Sequence, residues 1–283
     1  MPFITVGTEN SAPIDLYYED HGSGQPVVLI HGFPFNGATW EKQTRALLNA
    51  GYRTITYDRR GFGNSAQPTF GYDYDTFAAD LDVLMTELDL RNAILIGHSM
   101  GTGEVTRYLG AYGSNRVQRA VLLAPLAPQL VQTPDNPEGV ERGVFEGIKQ
   151  AILADRFAFL TQFCTMFFNW DENKGKLVSE EAFRAHWQIG AQASAKGTYD
   201  SVDAWGTDFR ADVTRIDVPV LIVQGDQDAV LPYPKTGQRL QPMLAGSRLI
   251  TLPGAPHGIP WTNADEVNQA IMDFVSAPTM ARA

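Results

Sequence analysis

Ala93-Ile94-Leu95-Ile96-Gly97-His98-Ser99-Met100-Gly101, running on into Thr102–Tyr112, is the stretch that decides how this chain is read. Four successive apolar residues suit a strand buried on both faces, and the residues after Gly101 suit a helix. The G-x-S-x-G box between them therefore lies where a strand turns sharply into a helix. That is the context in which such a box presents a nucleophilic serine. Gly97 and Gly101 let the backbone turn without a Cβ clash, and Ser99 is left at the tip, at the positive end of the helix dipole.

Outward from this box, short apolar runs alternate with helix-length amphipathic stretches. Val27–Ile30, Arg53–Tyr57, Ala93–Ile96 and Ala120–Leu123 read as buried strands, with helices expected near residues 39–50, 74–88 and 101–112. The rhythm resumes with a strand at Val220–Val223, a helix near residues 234–244, a strand at Arg248–Leu252 and a last helix near residues 265–275. This alternation predicts an α/β protein with a mostly parallel central sheet and helices on both faces. The stretch from Pro125 to Asp212 breaks the pattern. It has no good strand candidate and carries 12 of the 30 aromatic residues, among them Phe163, Phe167, Phe168, Trp170, Trp187 and Trp205. An inserted helical cap with its own core over the strand ends is expected there, giving a core of residues 1–125 and 213–283 and a cap of residues 126–212.

The 283 residues hold 22 basic and 32 acidic side chains, for a net charge of −10, with no basic cluster. That excludes nucleic acid and anionic membrane surfaces as expected partners. Cys164 is the one cysteine, so no internal disulfide forms, and its apolar neighbours mark it as an inert core thiol. The start, Met1-Pro2-Phe3-Ile4-Thr5, lacks the basic and apolar regions of a signal peptide, and no uninterrupted apolar segment reaches about 18 residues. A cytoplasmic protein without a membrane span is the expectation.

A serine needs a base to take its proton, and on this architecture the partners follow in the order Ser, Asp or Glu, His. Of the five histidines, His21, His31, His98 and His186 sit before or within the wrong segments. His257 alone follows the last strand, in the loop Pro253-Gly254-Ala255-Pro256-His257-Gly258. The acid should follow the strand ending near Gly225, where Asp226 and Asp228 are both placed to serve; periodicity does not separate them. The oxyanion hole needs two N–H donors. Met100, after the nucleophile, supplies one, and Phe33 in His31-Gly32-Phe33-Pro34 is placed to supply the other. The loop Asp58–Ser65, with its two arginines, reads as a structural strand-to-helix connection whose charges satisfy backbone groups.

Together these residues resemble the α/β-hydrolase superfamily. Finer features are similar to its cofactor-free haloperoxidase, or perhydrolase, branch and to the related γ-lactamases and aryl esterases. The segments that carry the resemblance are His31-Gly32-Phe33-Pro34, Tyr57-Asp58-Arg59-Arg60-Gly61-Phe62-Gly63 and Gly97-His98-Ser99-Met100-Gly101-Thr102-Gly103-Glu104. Others are Asn169-Trp170-Asp171-Glu172-Asn173, Asp208-Phe209-Arg210, and Gly254-Ala255-Pro256-His257-Gly258 with Trp261-Thr262. The family pattern G-x-x-D-x-x-x-P falls on Gly225, Asp228 and Pro232, so the resemblance implies Asp228 as the acid.

The resemblance also implies oxyanion donors at Phe33 and Met100 and an acyl pocket bordered by Trp205. Pro34 is implied at the substrate pocket, in the position where a proline accompanies perhydrolysis in the family. The segment Ala204-Trp205-Gly206-Thr207-Asp208 departs from the family in having a small residue before the tryptophan, which leaves pocket size open. The implied activity is hydrolysis of small carboxylic esters through an acyl-enzyme, with hydrogen peroxide replacing water in perhydrolysis. A γ-lactamase or amidase acting on cyclic amides is the alternative, and a non-catalytic small-molecule receptor the remote one. No cofactor or metal is expected, since the sequence has no haem-ligand motif, metal-ligand cluster or cysteine pair. Homo-oligomers are common in the family, and the implied partners are a small ester or carboxylic acid and hydrogen peroxide.

Overall fold

The computed structural model describes residues 2–277. One eight-stranded sheet runs in the order β1-β2-β4-β3-β5-β6-β7-β8. Its strands are β1 (Phe3–Glu9), β2 (Ala12–His21), β3 (Pro26–Ile30), β4 (Arg53–Tyr57), β5 (Ala93–His98), β6 (Val117–Leu123), β7 (Val220–Gly225) and β8 (Arg248–Leu252). From β4 to β8 every pairing is parallel, and β2 joins β4 antiparallel.

The apolar runs are strands because both of their faces are covered. Val28, Ile30, Leu95 and Leu122 face α2 (Tyr74–Glu87) and α3 (Met100–Tyr112), in one core with Phe77, Leu81 and Leu109. Their neighbours Val27, Leu29, Ile94 and Val121 join Leu47 of α1 (Glu41–Asn49) and Val267, Ile271 and Phe274 of the last helix, Ala264–Val275. The period-2 alternation of each strand thus feeds two separate cores.

Two elements differ from the sequence expectation. The hairpin β1–β2 has no counterpart among the strands the apolar runs predict. It turns through Asn10 and Ser11, both at positive φ (49° and 66°), and buries only Ile14 and Leu16 fully on β2, so it shows no continuous apolar run. The helix expected near residues 234–244 is instead three short turns, Tyr233–Lys235, Gly237–Leu240 and Gln241–Met243. Pro234 and Pro242 each remove a helical N–H, and the ring of Pro242 would clash with a continuous turn.

Between β6 and β7 lie five helices and no strand of the sheet: α4 (Arg142–Phe168), Trp170–Asn173, Glu180–Ala191, Ala195–Ala204 and Arg210–Val213. The two ends of this insertion meet, since the Phe209 N–H donates to the Pro128 carbonyl at 2.9 Å. Among the described residues, α4 is the one helix long and apolar enough to cross a membrane by length and composition. It is broken at Asp155 (φ −162°, ψ 98°), whose carboxylate caps the second half through the N–H groups of Phe157 and Ala158. Its residues Phe145, Ile152, Phe159, Phe163 and Phe167 pack into the larger core. Cys164 is buried there too, its thiol pushed up to about 12 by burial.

Candidate active site

β5 passes into α3 through a single residue, Ser99, at φ 54° and ψ −121°. A non-glycine backbone at positive φ costs about 1–3 kcal/mol and persists only where the surroundings enforce it. Here the enforcement is visible. The Ser99 N–H donates to the Leu123 carbonyl on β6 at 2.9 Å. Its carbonyl accepts from the Thr102 N–H and hydroxyl, at 2.9 and 2.6 Å. A Cβ on Gly97 would lie 2.6 Å from the Gly101 carbonyl oxygen, and one on Gly101 would overlap the Ile30 carbonyl. Both glycines of the box are therefore required by close backbone approach.

His257 reaches Ser99 from the loop after β8, with Nε2 2.8 Å from the Ser99 hydroxyl. Its Nδ1 lies 2.8 Å from Oδ2 of Asp228. A carboxylate only accepts, so Nδ1–H donates to Asp228 and Nε2 is free to accept from Ser99. Asp228 is itself held by the N–H groups of Val230 (3.0 Å) and Leu231 (2.7 Å) on Oδ1 and by Gln224 on Oδ2. All three side chains of this chain of hydrogen bonds are buried.

Asp226 is exposed and turned away, accepting from the Gly254 N–H at 2.7 Å. The two carboxylates that periodicity leaves equivalent thus do different things. Asp228 meets the imidazole, while Asp226 ties its own loop to the one carrying His257.

The insertion helps place both loops. The Gly258 N–H donates to the Phe167 carbonyl at 2.8 Å, and the Asn169 side chain donates to the Gln227 carbonyl at 2.8 Å. His98, inside the box, donates through Nε2 to the His257 carbonyl at 3.1 Å, and burial holds it well below the ordinary histidine range, hence neutral. In the sequence His98 is only the x of the G-x-S-x-G box; the fold brings it against the His257 backbone. His186 packs among Phe35, Phe168 and Trp261 and bonds the Ala182 carbonyl, while His21 is exposed beside Glu19.

Ser99 opens on an apolar cavity of about 130 Å³. Phe33 and Met100 border it with Ser99, as do Trp205, Phe145, Phe159, Phe163, Leu126, Leu130, Met166 and Val230, and no charged side chain lines it. Met100 is the first residue of α3, so its N–H has no intrahelical partner. Trp205 stands edge-to-face on Phe33 at 4.8 Å. Pro34, implied at the substrate pocket, is not on the wall of this cavity: its ring is buried toward Gly190 of the helix Glu180–Ala191. The aromatic richness of the insertion signals that some of its rings line a site; which ones do so depends on the packing of α4. Among the described residues no cluster of metal-ligating side chains occurs.

The loop Asp58–Ser65 does tie down backbone, with Asp58 accepting from the N–H groups of Gly37 and Asn64 at 2.8 Å each. Arg60 forks onto the buried Asp80 with two bonds of 2.6 Å.

Comparison with known proteins identifies the family. The family profile of the alpha/beta hydrolase fold matches residues 25–264. A putative non-heme chloroperoxidase from Synechocystis is 61% identical over 97% of this chain and 100% of that protein. A bifunctional esterase/perhydrolase from Acinetobacter calcoaceticus is 34% identical over 93% of this chain and 96% of its own length. The crystal structure of a bromoperoxidase from Bacillus anthracis superposes with a TM-score of 0.93 at 44% identity, covering 97% of this chain and 99% of that one. The chain is an enzyme of the α/β-hydrolase family and belongs to the branch that holds its non-heme haloperoxidases.

Proposed function

We propose that this enzyme hydrolyses small carboxylic esters through an acyl-enzyme on Ser99 and transfers the same acyl group to hydrogen peroxide. The hydrogen-bonded chain Ser99–His257–Asp228 opening on an apolar cavity carries the reading. His257 takes the Ser99 proton as the oxygen attacks the ester carbonyl, and Asp228 stabilises the imidazolium that forms. The oxyanion is met by the N–H groups of Phe33 and Met100. His257 then returns the proton to the departing alcohol.

In the second half, His257 deprotonates water or hydrogen peroxide, which attacks the acyl carbonyl; the Ser99 oxygen leaves, takes the proton back from His257, and a carboxylic acid or a peracid is released. A peracid carries the oxidising oxygen out of the site and can oxidise a halide in solution, itself reverting to the acid. The names of the relatives, chloroperoxidase and esterase/perhydrolase, are consistent with both outcomes. Pro34, next to Phe33 in the oxyanion loop, has its role here in setting the loop that faces the incoming nucleophile. Residues 126–212 act as the cap that roofs the acyl pocket, over a core of residues 1–125 and 213–283.

The cavity is slightly smaller than the ~150 Å³ void that accepts benzene, so the acyl group is short and uncharged. The testing experiment is a panel of p-nitrophenyl esters from acetyl to octanoyl, a succinyl half-ester, a bicyclic γ-lactam, and acetate plus peroxide with bromide as reporter. The expected result is a maximum kcat/KM at acetyl to butyryl and a fall of about tenfold or more at octanoyl. Bromination should be supported, with little turnover of the succinyl ester or lactam. Preferential turnover of the lactam would overturn the ester reading.

A further inference from the structure

Arg59 and Glu104 carry buried charges that this chemistry does not use. They are 1% and 0% exposed at the side chain, with Arg59 Nε donating to Glu104 Oε2 at 2.7 Å and the Tyr57 hydroxyl donating to the other carboxylate oxygen. Burial pushes the Glu104 carboxyl up, and Arg59 and the Tyr57 hydroxyl oppose that. An apolar pair of similar volume would often be as stable or more so, so stability alone is a weak reason for burying two ions here.

What the pair touches supplies a better one. Arg59 Nη2 donates to the His31 carbonyl at 2.9 Å, and the Arg59 backbone N–H donates to His31 Nε2 at 2.9 Å. With Nε2 accepting, the ring proton sits on Nδ1, where it donates to the Gly32 carbonyl at 2.9 Å. The Phe35 N–H bonds that same oxygen at 3.1 Å. The Gly32 carbonyl and the Phe33 N–H belong to one planar trans peptide, so their bonds point in opposite directions. Whatever grips the Gly32 oxygen aims the Phe33 N–H.

We infer that Glu104, Arg59 and His31 form a relay of positioning residues that orients the Phe33 N–H toward the oxyanion, although none of the three lines the cavity. The inference rests on the acyl-enzyme reading of Ser99. Each link is a hydrogen bond to a buried partner, and together they fix the peptide before the first oxyanion donor much as Leu123 and Thr102 fix the peptides around the second. Oxyanion donors act through preorganisation, so a displaced Phe33 N–H weakens the transition state more than the bound ester.

The test compares wild type, Ser99→Ala, His31→Leu and Glu104→Gln. It measures kcat per titrated active site, KM for p-nitrophenyl butyrate, and the inhibition constant of an alkyl boronic acid, which copies the tetrahedral oxyanion. The expected result is a fall in kcat per site of about 100-fold for His31→Leu and about tenfold for Glu104→Gln. Boronate affinity should fall in parallel, with KM within about threefold of wild type. Where His31→Leu does not fold, Glu104→Gln, which keeps hydrogen-bonding capacity in place, decides alone. A lowered site titre or melting temperature with kcat per site intact would reduce the relay to a structural ion pair and overturn the inference. Retained turnover in Ser99→Ala would instead sink the acyl-enzyme reading on which it rests.

Discussion

Ser99→Ala is expected to lower kcat for p-nitrophenyl butyrate by about 10⁴–10⁶-fold while leaving the melting temperature within a few degrees of wild type. The size follows from the absence of a substitute nucleophile on the cavity wall. Among the residues that border the cavity, Ser99 is the one with a hydroxyl or thiol. Thr102, three residues on, spends its hydroxyl donating to the Ser99 carbonyl and accepting from the Leu126 N–H. The small effect on stability follows because alanine keeps the Cβ and so makes the same demand on the backbone at φ 54°. Ser99→Gly, by contrast, relieves the positive φ, so activity and strain can be separated at one position. Activity assays with thermal denaturation of the three proteins check this.

Asp228→Asn is expected to cost about 10⁴ in kcat, and Asp226→Asn no more than about twofold. The two substitutions remove the same charge two residues apart, yet their geometry differs. An asparagine at 228 still accepts from the Val230 and Leu231 N–H groups, so the loop is kept. When its amide NH₂ faces His257, however, Nδ1 must become the acceptor and the ring proton moves to Nε2, which then cannot take the Ser99 proton. Asparagine at 226 keeps an oxygen for the Gly254 N–H, and the site is untouched. Equal losses at both positions would mean that the charge of the loop, rather than the bond to His257, does the work.

The contrast between these aspartates also shows where sequence reasoning reaches its limit. The buried parallel strands are legible because covering both faces forces uninterrupted apolar runs, and Arg53–Tyr57 and Arg248–Leu252 have the bounds the runs imply. The edge hairpin Phe3–His21 is not, because a strand covered on one face with a register shift near Gly7 shows only broken alternation. The nucleophile is legible because it is a local turn whose glycines sit beside it. The acid is not legible from periodicity, and only the family pattern on Gly225, Asp228 and Pro232 points to it, because choosing Asp228 over Asp226 physically depends on which carboxylate a loop from another strand meets. Arg59 and Glu104 lie 45 residues apart, and the Asp58–Ser65 loop reads as merely structural until α3 brings the carboxylate beneath the oxyanion loop.

The most direct measurement is rapid chemical quench with peptide mass spectrometry on enzyme mixed with p-nitrophenyl butyrate, with and without hydrogen peroxide. A butyryl group should appear on the peptide containing Ser99 before steady state is reached. Peroxide should speed its decay, and peracid should form in proportion to the acyl group lost. Peracid formation with no adduct on Ser99, or undiminished in Ser99→Ala, would contradict a shared acyl-enzyme.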